Sequence, residues 1–403
     1  MSISSTQRVI KAECPRCHAP ASFGPRQIMG QYWVTRCSKC PYYTHERLPP
    51  ITKKIIYLDQ CFLSNVLSAK EPRWKTACDK LRALIWLDFA ICPYSRVHGD
   101  ESLLAEYSRD DLKALYRELS GGDNEFLSPN EIEQNQLLEA MRCFLGQTQM
   151  PGEWQKPRPW AEFCKQDPHV WLNGFAVYAD FPANPAIIKW LEDSKARLHS
   201  ALEVVANNWQ DEDTRTFNDD VERERRAYGK TLIAGYREIV RPGLFDPRTP
   251  PGIQPGVTLV HSLAAEVHKA RPDEADPVSV VAQFFESDVA LNVPFLYITS
   301  HLWAAMAHQV RKSKRHLRAS DSNDLTAVAH YAPYCDAMFL DKSFRALADQ
   351  KCVDVPNRYD VKLFSATTMD DFIEYLDELL HSMPCGHREA LKLVHPEWPT
   401  LLS

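Results

Sequence analysis

Four of the twelve cysteines lie in the first forty residues, arranged as two C-x-x-C pairs. Cys14 and Cys17 form the first pair, Cys37 and Cys40 the second, and nineteen residues separate them. This is the spacing of a zinc ribbon, in which two turns each aim two thiolates at one point and complete a tetrahedral shell suited to Zn²⁺. The N-terminal segment of about fifty residues, called the head below, can form only a small hydrophobic core. We therefore expect a structural zinc whose binding supplies folding energy. The alternative is four reduced cysteines in a loop.

The head is basic and the rest of the chain is acidic. Residues 1–54 carry nine Lys/Arg and two Asp/Glu, a balance of +7, whereas residues 55–403 carry 38 and 51, a balance of −13. In the basic head, cationic and aromatic residues are interleaved: Arg16, Arg26, Arg36, Lys39, Arg47, Tyr32, Trp33, Tyr42 and Tyr43. Such a mixture favours backbone contact and base stacking on nucleic acid. A solvated basic surface and a protein-docking module are the alternatives.

Acidic residues recur where predicted strands and helices end. A strand-forming run, 54–58, ends at Asp59, where the alternative is a cap of the next helix. A second apolar run, 89–92, is followed by Ser95, a helix cap that places His98 and Glu101 one turn apart. The later acids of this kind are Asp324 at a helix start, Asp336 in a turn, and Asp341 after the strand 337–340.

Five carboxylates gathered at one place would repel each other unless a cation neutralised them. Oxygen ligands select hard ions, Mg²⁺ or Mn²⁺, and the expected chemistry is hydrolysis of a phosphoryl group by a metal-activated water. His98 is either a further ligand or phosphate contact or an ordinary helix-face residue. Cys61, close to Asp59, is interpreted as a packing residue.

The order strand–Asp59, strand–helix–Glu101, helix–Asp324, strand–Asp341 resembles the PIN-like nuclease superfamily over residues 51–104 and 286–380. The resemblance implies an α/β/α sandwich around a parallel sheet. It implies that these four acids are the metal ligands, in that order, and that Asp321 and Asp336 are extra acids that orient ligands or share a second metal. Ser64 and Ser343 fall where the family often keeps small polar residues.

The resemblance also implies metal-dependent cleavage of nucleic acid, RNA more than DNA. Two other functions stay open: a catalytically silent adaptor that only binds nucleic acid, and a metal-dependent phosphatase for small phosphoesters. Cleavage, binding without turnover, and activity on a small phosphate ester distinguish the three.

A cluster of cations precedes the Asp321/Asp324 turn. No acid occurs between residues 289 and 320, and within that window a helical pattern contains Arg311, Lys312, Lys314, Arg315 and Arg318. A cationic surface beside an acidic site offsets the repulsion of a polyanionic substrate. We therefore expect these residues to contact nucleic acid; the alternative is a solvated helix face.

These features divide the chain into a zinc ribbon (1–50), a first core block (51–104), a mostly helical insertion (105–285), a second core block (286–380) and a tail (381–403). Helices are predicted at 104–119, 131–145, 186–210 and 221–240, and a Pro/Gly-rich linker or ordered loop at 241–256. The insertion is a lid, a protein-docking surface or a site of self-association. No apolar run approaches the ~20 residues that span a bilayer, and residues 1–14 lack a signal-type apolar core, so we expect a cytoplasmic protein without membrane contact.

Overall fold

A computed structural model describes residues 9–68, 71–103, 109–122, 124–148, 158–171, 185–211, 214–239, 255–313 and 315–394. Within these residues the chain is mixed α/β and mostly helical, with two separate four-stranded sheets. The first sheet is antiparallel and belongs to the head, and the second is parallel and lies in the body. The α/β fold class is therefore confirmed.

The head is built from β1 (Val9–Ala12), β2 (Phe23–Met29), β3 (Tyr32–Cys37) and β4 (Tyr43–Arg47), paired in chain order. The β2–β3 connection is a two-residue hairpin in which Gly30 has a φ of +59°, a conformation that glycine adopts without strain. The strand β3 runs directly into the second cysteine pair, as its β-forming residues predict.

The body sheet contains β5 (Lys54–Leu58), β6 (Ala90–Ile91), β7 (Ala337–Phe339) and β8 (Lys362–Phe364), in the spatial order β6-β5-β7-β8 and parallel throughout. Successive side chains of a strand point to opposite faces. Accordingly, Ile55 and Tyr57 enter one hydrophobic core, and Ile56 and Leu58 enter the other. Both faces of the sheet are thus covered, as a buried parallel sheet requires.

The helices of the described residues connect and cover these strands. In chain order they are α1 (Gln60–Ser68), α2 (Pro72–Trp86), α3 (Arg96–Leu103), α4 (Arg109–Leu119), α5 (Pro129–Phe144), α6 (Pro185–Asp211), α7 (Phe217–Ile239), α8 (Pro255–Ala270), α9 (Pro277–Phe285), α10 (Asp288–Leu291), α11 (Pro294–Ser313), α12 (Ala319–Tyr331), α13 (Lys342–Ala348), α14 (Val355–Tyr359), α15 (Met369–His381) and α16 (Cys385–Val394). None of them is long and apolar enough to cross a membrane.

The helical character predicted for the insertion is confirmed at α5, α6 and α7. The start of α5 has a local cause, because the Ser128 hydroxyl accepts from the Glu131 N–H while the Glu131 carboxylate accepts from the Ser128 N–H. A third hydrophobic core joins α5 to α7, α8, α9 and α11. Most of the linker predicted at 241–256 lies outside the described residues.

Two segments predicted to lie outside the α/β body, one in the insertion and one in the tail, pack into its hydrophobic core. The helix α4, which falls in the predicted insertion, packs Leu112, Leu115 and Leu119 into the same core as α1 and α2. The predicted tail contains α16, whose Leu391 and Val394 are buried in that core as well. Both helices are amphipathic, so burying their apolar sides extends the α/β body at each end.

Candidate functional site

The four cysteine sulfurs of the head converge on one point. Cys14 Sγ lies 3.7 Å from Cys40 Sγ, Cys17 Sγ lies 3.7 Å from Cys37 Sγ, and all four lie within 4.8 Å of one another. A regular tetrahedron of four zinc–sulfur bonds of ~2.3 Å has edges of ~3.8 Å. The donor set and its spacing therefore fit a zinc ion that holds the head together.

The backbone of each cysteine turn supports the thiolates. The N–H of Arg16 donates to Cys14 Sγ at 3.4 Å, and the N–H of Lys39 donates to Cys37 Sγ at 3.3 Å. The Ser22 hydroxyl, 3.4 Å from Cys37 Sγ, is the main cause that lowers the pKa of Cys37 to about 6. These donors favour the thiolate form, which is the form that binds metal.

The two histidines of the head have other partners. His18 lies 2.9 Å from the Glu13 carboxylate, and the His45 ring packs edge-on against Tyr32. The head is also fixed to the body, because the Trp171 indole donates to the Pro49 carbonyl at 2.8 Å. The four cysteines would thus form a closed structural site if they hold zinc, since no other ligand from the described part of the head is directed at them.

A second group of candidate site residues lies at the carboxyl ends of β5 and β7. It consists of Asp59 and Asp341, together with Asp324, and is called the acidic edge below. These strands are neighbours and parallel, and Asp59 and Asp341 follow them directly or after one residue. The Asp59 N–H donates to the Phe339 carbonyl at 2.9 Å, so the register of the sheet fixes its backbone. The chain leaves β5 towards β6 on one side and returns to β7 on the other, which makes this edge a topological switch point, the place where α/β sheets bind ligands.

Asp324, on the second turn of α12, faces the same region. Burial raises the pKa of the Cys61 thiol, and the charges of Asp59, Asp341 and Asp324 raise it further, so all three acids act electrostatically on this one thiol. The pKa of Asp59 is itself raised, mainly by burial and also by Asp341. The fold thus gathers three of the predicted acids around Cys61, which the sequence had indicated only as a packing residue.

The carboxylate oxygens of Asp59, Asp324 and Asp341 do not all lie within 4.8 Å of one another. Among the residues the structure describes, only the four cysteines form a group of three or more His, Cys, Asp or Glu whose ligating atoms lie within 4.8 Å of one another. Glu101 lies on α3, which follows β6, the strand next to β5, but its side chain is outside the described part. A cation at this edge would therefore have to draw the three described carboxylates closer together.

Arg318 partly neutralises this edge. Its guanidinium lies 3.7 Å from Asp341 Oδ2 and donates to the Ser343 hydroxyl at 3.2 Å, and Ser343 in turn donates to Asp341 at 2.9 Å. Asp341 also caps α13 by accepting from the Phe344 N–H at 2.6 Å. Arg318 remains about half exposed, so its remaining donors are open to an anion in solvent.

Asp321 positions Arg318. Its buried carboxylate accepts from the backbone N–H of Arg318 at 2.9 Å, from its guanidinium at 3.5 Å and from Arg315 at 2.9 Å. It thereby caps the start of α12 and holds two arginines beside the acidic edge. The roles that the resemblance implied for Asp321, orienting a metal ligand or sharing a second metal, stay predictions.

The predicted cationic surface is smaller than the sequence indicated. Arg311 is buried against Asp220 of α7, and Arg315 is committed to Asp321, so neither is available to a ligand. Lys312 and Arg318 are exposed, and Lys314 lies outside the described residues. The partner of Arg311 is 91 residues away along the chain, which a helical pattern cannot reveal.

Asp336 does not belong to the acidic edge, which corrects its prediction as a metal ligand. It precedes β7, and its carboxylate accepts from the Lys54 ammonium and the Ile55 N–H, both at 2.9 Å. In a parallel sheet, residues that precede the strands lie at the amino ends of the strands, and residues that follow them lie at the opposite, carboxyl ends. Asp336 is thus separated from Asp341 by the length of the strand, roughly 15 Å.

His98 is likewise a core residue rather than a contact of the site. It is 1% exposed, and its ring stacks between Tyr57 at 5.0 Å and Tyr116 at 4.8 Å. The Ser95 hydroxyl accepts from the His98 N–H at 3.4 Å, so the predicted cap at Ser95 is present, and His98 Nδ1 accepts from the Ser95 N–H at 3.2 Å. Burial lowers the pKa of His98 to about 3, which keeps the ring neutral.

We expect His98 to make the fold sensitive to acid. The pKa falls from 6.5 in the unfolded chain to about 3 in the fold, so its contribution is complete above pH 6.5 and is lost as the pH falls towards 3. Between pH 7.5 and 4.5 this amounts to about 2–3 kcal/mol. In His98→Phe, urea unfolding monitored by tryptophan fluorescence should show a smaller loss of stability over this interval. Equal losses in the wild type and the variant would contradict the assignment.

No family model matches this chain, and no curated protein or solved structure shows significant similarity to it.

Proposed function

We propose that this protein is a metal-dependent nuclease of the PIN-like type that hydrolyses phosphodiester bonds, in RNA before DNA. The observation that supports the proposal is the position of Asp59 and Asp341 at the carboxyl ends of two neighbouring parallel strands, with the charge of Asp324 acting on the same Cys61 thiol. The parallel sheet with helices on both faces, and the acid that follows each of its two central strands, support the proposal as well.

Asp59, Asp324 and Asp341, together with Glu101, are the residues that would hold Mg²⁺ or Mn²⁺. Such an ion would activate a water and stabilise charge on the phosphoryl oxygens. The protein supplies the rest: Asp59 and Asp341 are fixed by the sheet and by α13, and Arg318 presents a guanidinium to the same edge. Since burial and Asp341 raise the pKa of Asp59, the metal-free cluster disfavours its own full ionisation, and a cation relieves that cost.

The charge distribution favours a polymeric substrate over a small phosphoester. Residues 1–50, the head, carry seven Lys/Arg and two Asp/Glu, a balance of +5, and the exposed Arg318 lies beside Asp341. A small phosphate ester needs no such extended cationic surface, whereas a nucleic acid gains affinity from each phosphate that is neutralised. All twelve cysteines are unpaired, which agrees with a reducing compartment such as the cytoplasm.

The proposal is tested by incubating the purified chain with end-labelled single-stranded RNA, single-stranded DNA and a chromogenic phosphate ester, with and without Mn²⁺ or Mg²⁺. We expect RNA cleavage that needs the added metal. A protein that hydrolyses only the small ester, or cleaves RNA equally without added metal, would contradict it.

A nucleic-acid-binding adaptor without turnover is the second candidate. It is favoured by the open spacing of the three carboxylates and by Arg318, which already offsets the charge of Asp341. The adaptor would bind RNA with strong salt dependence and leave it intact in every metal tested.

A further inference from the structure

The head sheet has two faces of different character. Residues directly opposite in an antiparallel pair share a face. The pairs Trp33 with Glu46 and Thr35 with Thr44 therefore lie on one face, and Trp33 packs there against the core of the body. Trp33 thus anchors the head through this inner face, although Thr44 and Glu46 on the same face are exposed.

The other face is buried at its centre, at Val34, and exposes aromatic and cationic side chains at its two ends. Tyr32 is paired with Arg47, and Arg36 is paired with Tyr43, at the two ends of the β3–β4 ladder. Tyr32 is 41% exposed and Tyr43 is 60% exposed, and both arginines are exposed. Each end of this outer face thus presents one aromatic ring beside one guanidinium.

No acid offsets these charges. Among the described residues, no carboxylate lies within ion-pair distance of Arg36 or Arg47. Of the two acids of the head, Glu46 lies on the inner face and Glu13 pairs with His18. Tyr32 stays exposed although its ring packs edge-on against His45. Exposed aromatic side chains mark an interaction surface, and the neighbouring cations favour an anionic partner with flat groups.

We propose that this outer face, formed by Tyr32, Arg36, Tyr43 and Arg47, binds single-stranded nucleic acid by stacking bases on the two tyrosines while the arginines contact phosphates. The two aromatic–cation pairs are about four residues apart along β3, or roughly 13 Å, so a single strand can engage both. The closed zinc centre makes the face rigid, because the second cysteine pair terminates β3 and precedes β4.

The test is RNA binding by the full chain with its zinc and without added Mg²⁺ or Mn²⁺. A fluorescent oligouridine of about 12 nucleotides is titrated by anisotropy at roughly 50 to 200 mM salt. Tyr32→Ala and Tyr43→Ala should each weaken binding roughly tenfold. The double variant Arg36→Glu/Arg47→Glu should also lower the slope of log affinity against log salt by about 1.4.

Matched variants separate the surface from net charge and from folding. Lys189→Glu/Lys195→Glu makes the same change in charge on exposed positions of α6 and should bind like the wild type. Tyr32→Phe/Tyr43→Phe keeps the rings and should also bind like the wild type, and every variant should retain one zinc. The proposal is overturned if the outer-face variants bind normally, as expected for a protein-docking face, or if the α6 pair loses as much affinity.

The inference rests on the proposed function only in its choice of nucleic acid as the partner, and the two can fail separately. Binding that depends on the outer face without any metal-dependent cleavage would refute the nuclease and leave this surface standing. Metal-dependent cleavage with binding indifferent to these four residues would do the reverse.

Discussion

Asp59→Asn is expected to lower the rate of metal-dependent RNA cleavage by roughly 10³-fold, because it removes a charged ligand at the centre of the switch point. Asparagine has nearly the same shape, so the backbone contact to Phe339 and the start of α1 should persist. The variant therefore separates loss of metal binding from loss of fold.

The stability of the same variant gives an independent measurement. In the fold the pKa of Asp59 is raised, so at neutral pH its ionised carboxylate costs stability that the neutral asparagine does not. Without added metal, Asp59→Asn should be at least as stable as the wild type. Added Mn²⁺ should raise the melting temperature of the wild type by mass action and leave the variant unchanged.

Asp336→Asn is the matched control for this experiment. It also replaces an aspartate carboxylate next to β5, but at the amino end of that strand. There the carboxylate accepts from Lys54 and Ile55. Its cleavage rate should stay near that of the wild type at temperatures where it is folded. If Asp336→Asn lost as much activity as Asp59→Asn, or if Asp59→Asn kept its activity, the assignment of the acidic edge would be wrong.

Cys37→Ser is expected to abolish zinc binding and unfold the head. Structural zinc sites in small modules contribute about 10–16 kcal/mol of apparent binding free energy. The hydrophobic residues buried in the described part of the head are few, chiefly Cys14, Val34 and Leu48, and cannot replace that contribution. We expect the zinc content to fall from one per chain to near zero and limited proteolysis to remove the head.

Cys352→Ser provides the control for the cysteine chemistry. Cys352 is exposed, lies in the body and takes no part in the four-sulfur group. This variant should keep one zinc per chain and the proteolysis pattern of the wild type. Full zinc content and a protease-resistant head in Cys37→Ser would show that the four sulfurs do not hold the head together.

The elements of the site were largely predictable because their signals are local. Two C-x-x-C turns at ribbon spacing define a metal site without knowledge of the remaining fold. The strands before Asp59 and Asp341 are short apolar runs that end in an acid, and both are present as β5 and β7. The capped start of α5 at Ser128 is another local signal that the structure confirms.

The sequence predictions that were wrong concern which end of a strand a residue occupies and which distant residue its side chain contacts. Asp336 and Asp341 flank the same strand and lie at its opposite ends, and the parallel pairing of β5 with β7 decides that Asp341 is the one beside Asp59. The cations of α11 form a helical cluster in sequence, but Arg311 is buried against Asp220 of another helix. His98 follows its predicted cap, yet it is buried by tyrosines from β5 and α4. Such partners are set by tertiary packing, which local patterns do not encode.

Anomalous diffraction from crystals grown with Mn²⁺ above neutral pH tests the central claim most directly. The account predicts a manganese peak ~2.0–2.6 Å from carboxylate oxygens of Asp59 and Asp341, with Asp324 drawn towards it. The zinc peak among the four cysteines serves as the internal reference. A clear zinc peak with no manganese at this edge of the sheet, or manganese bound only elsewhere, would contradict the account.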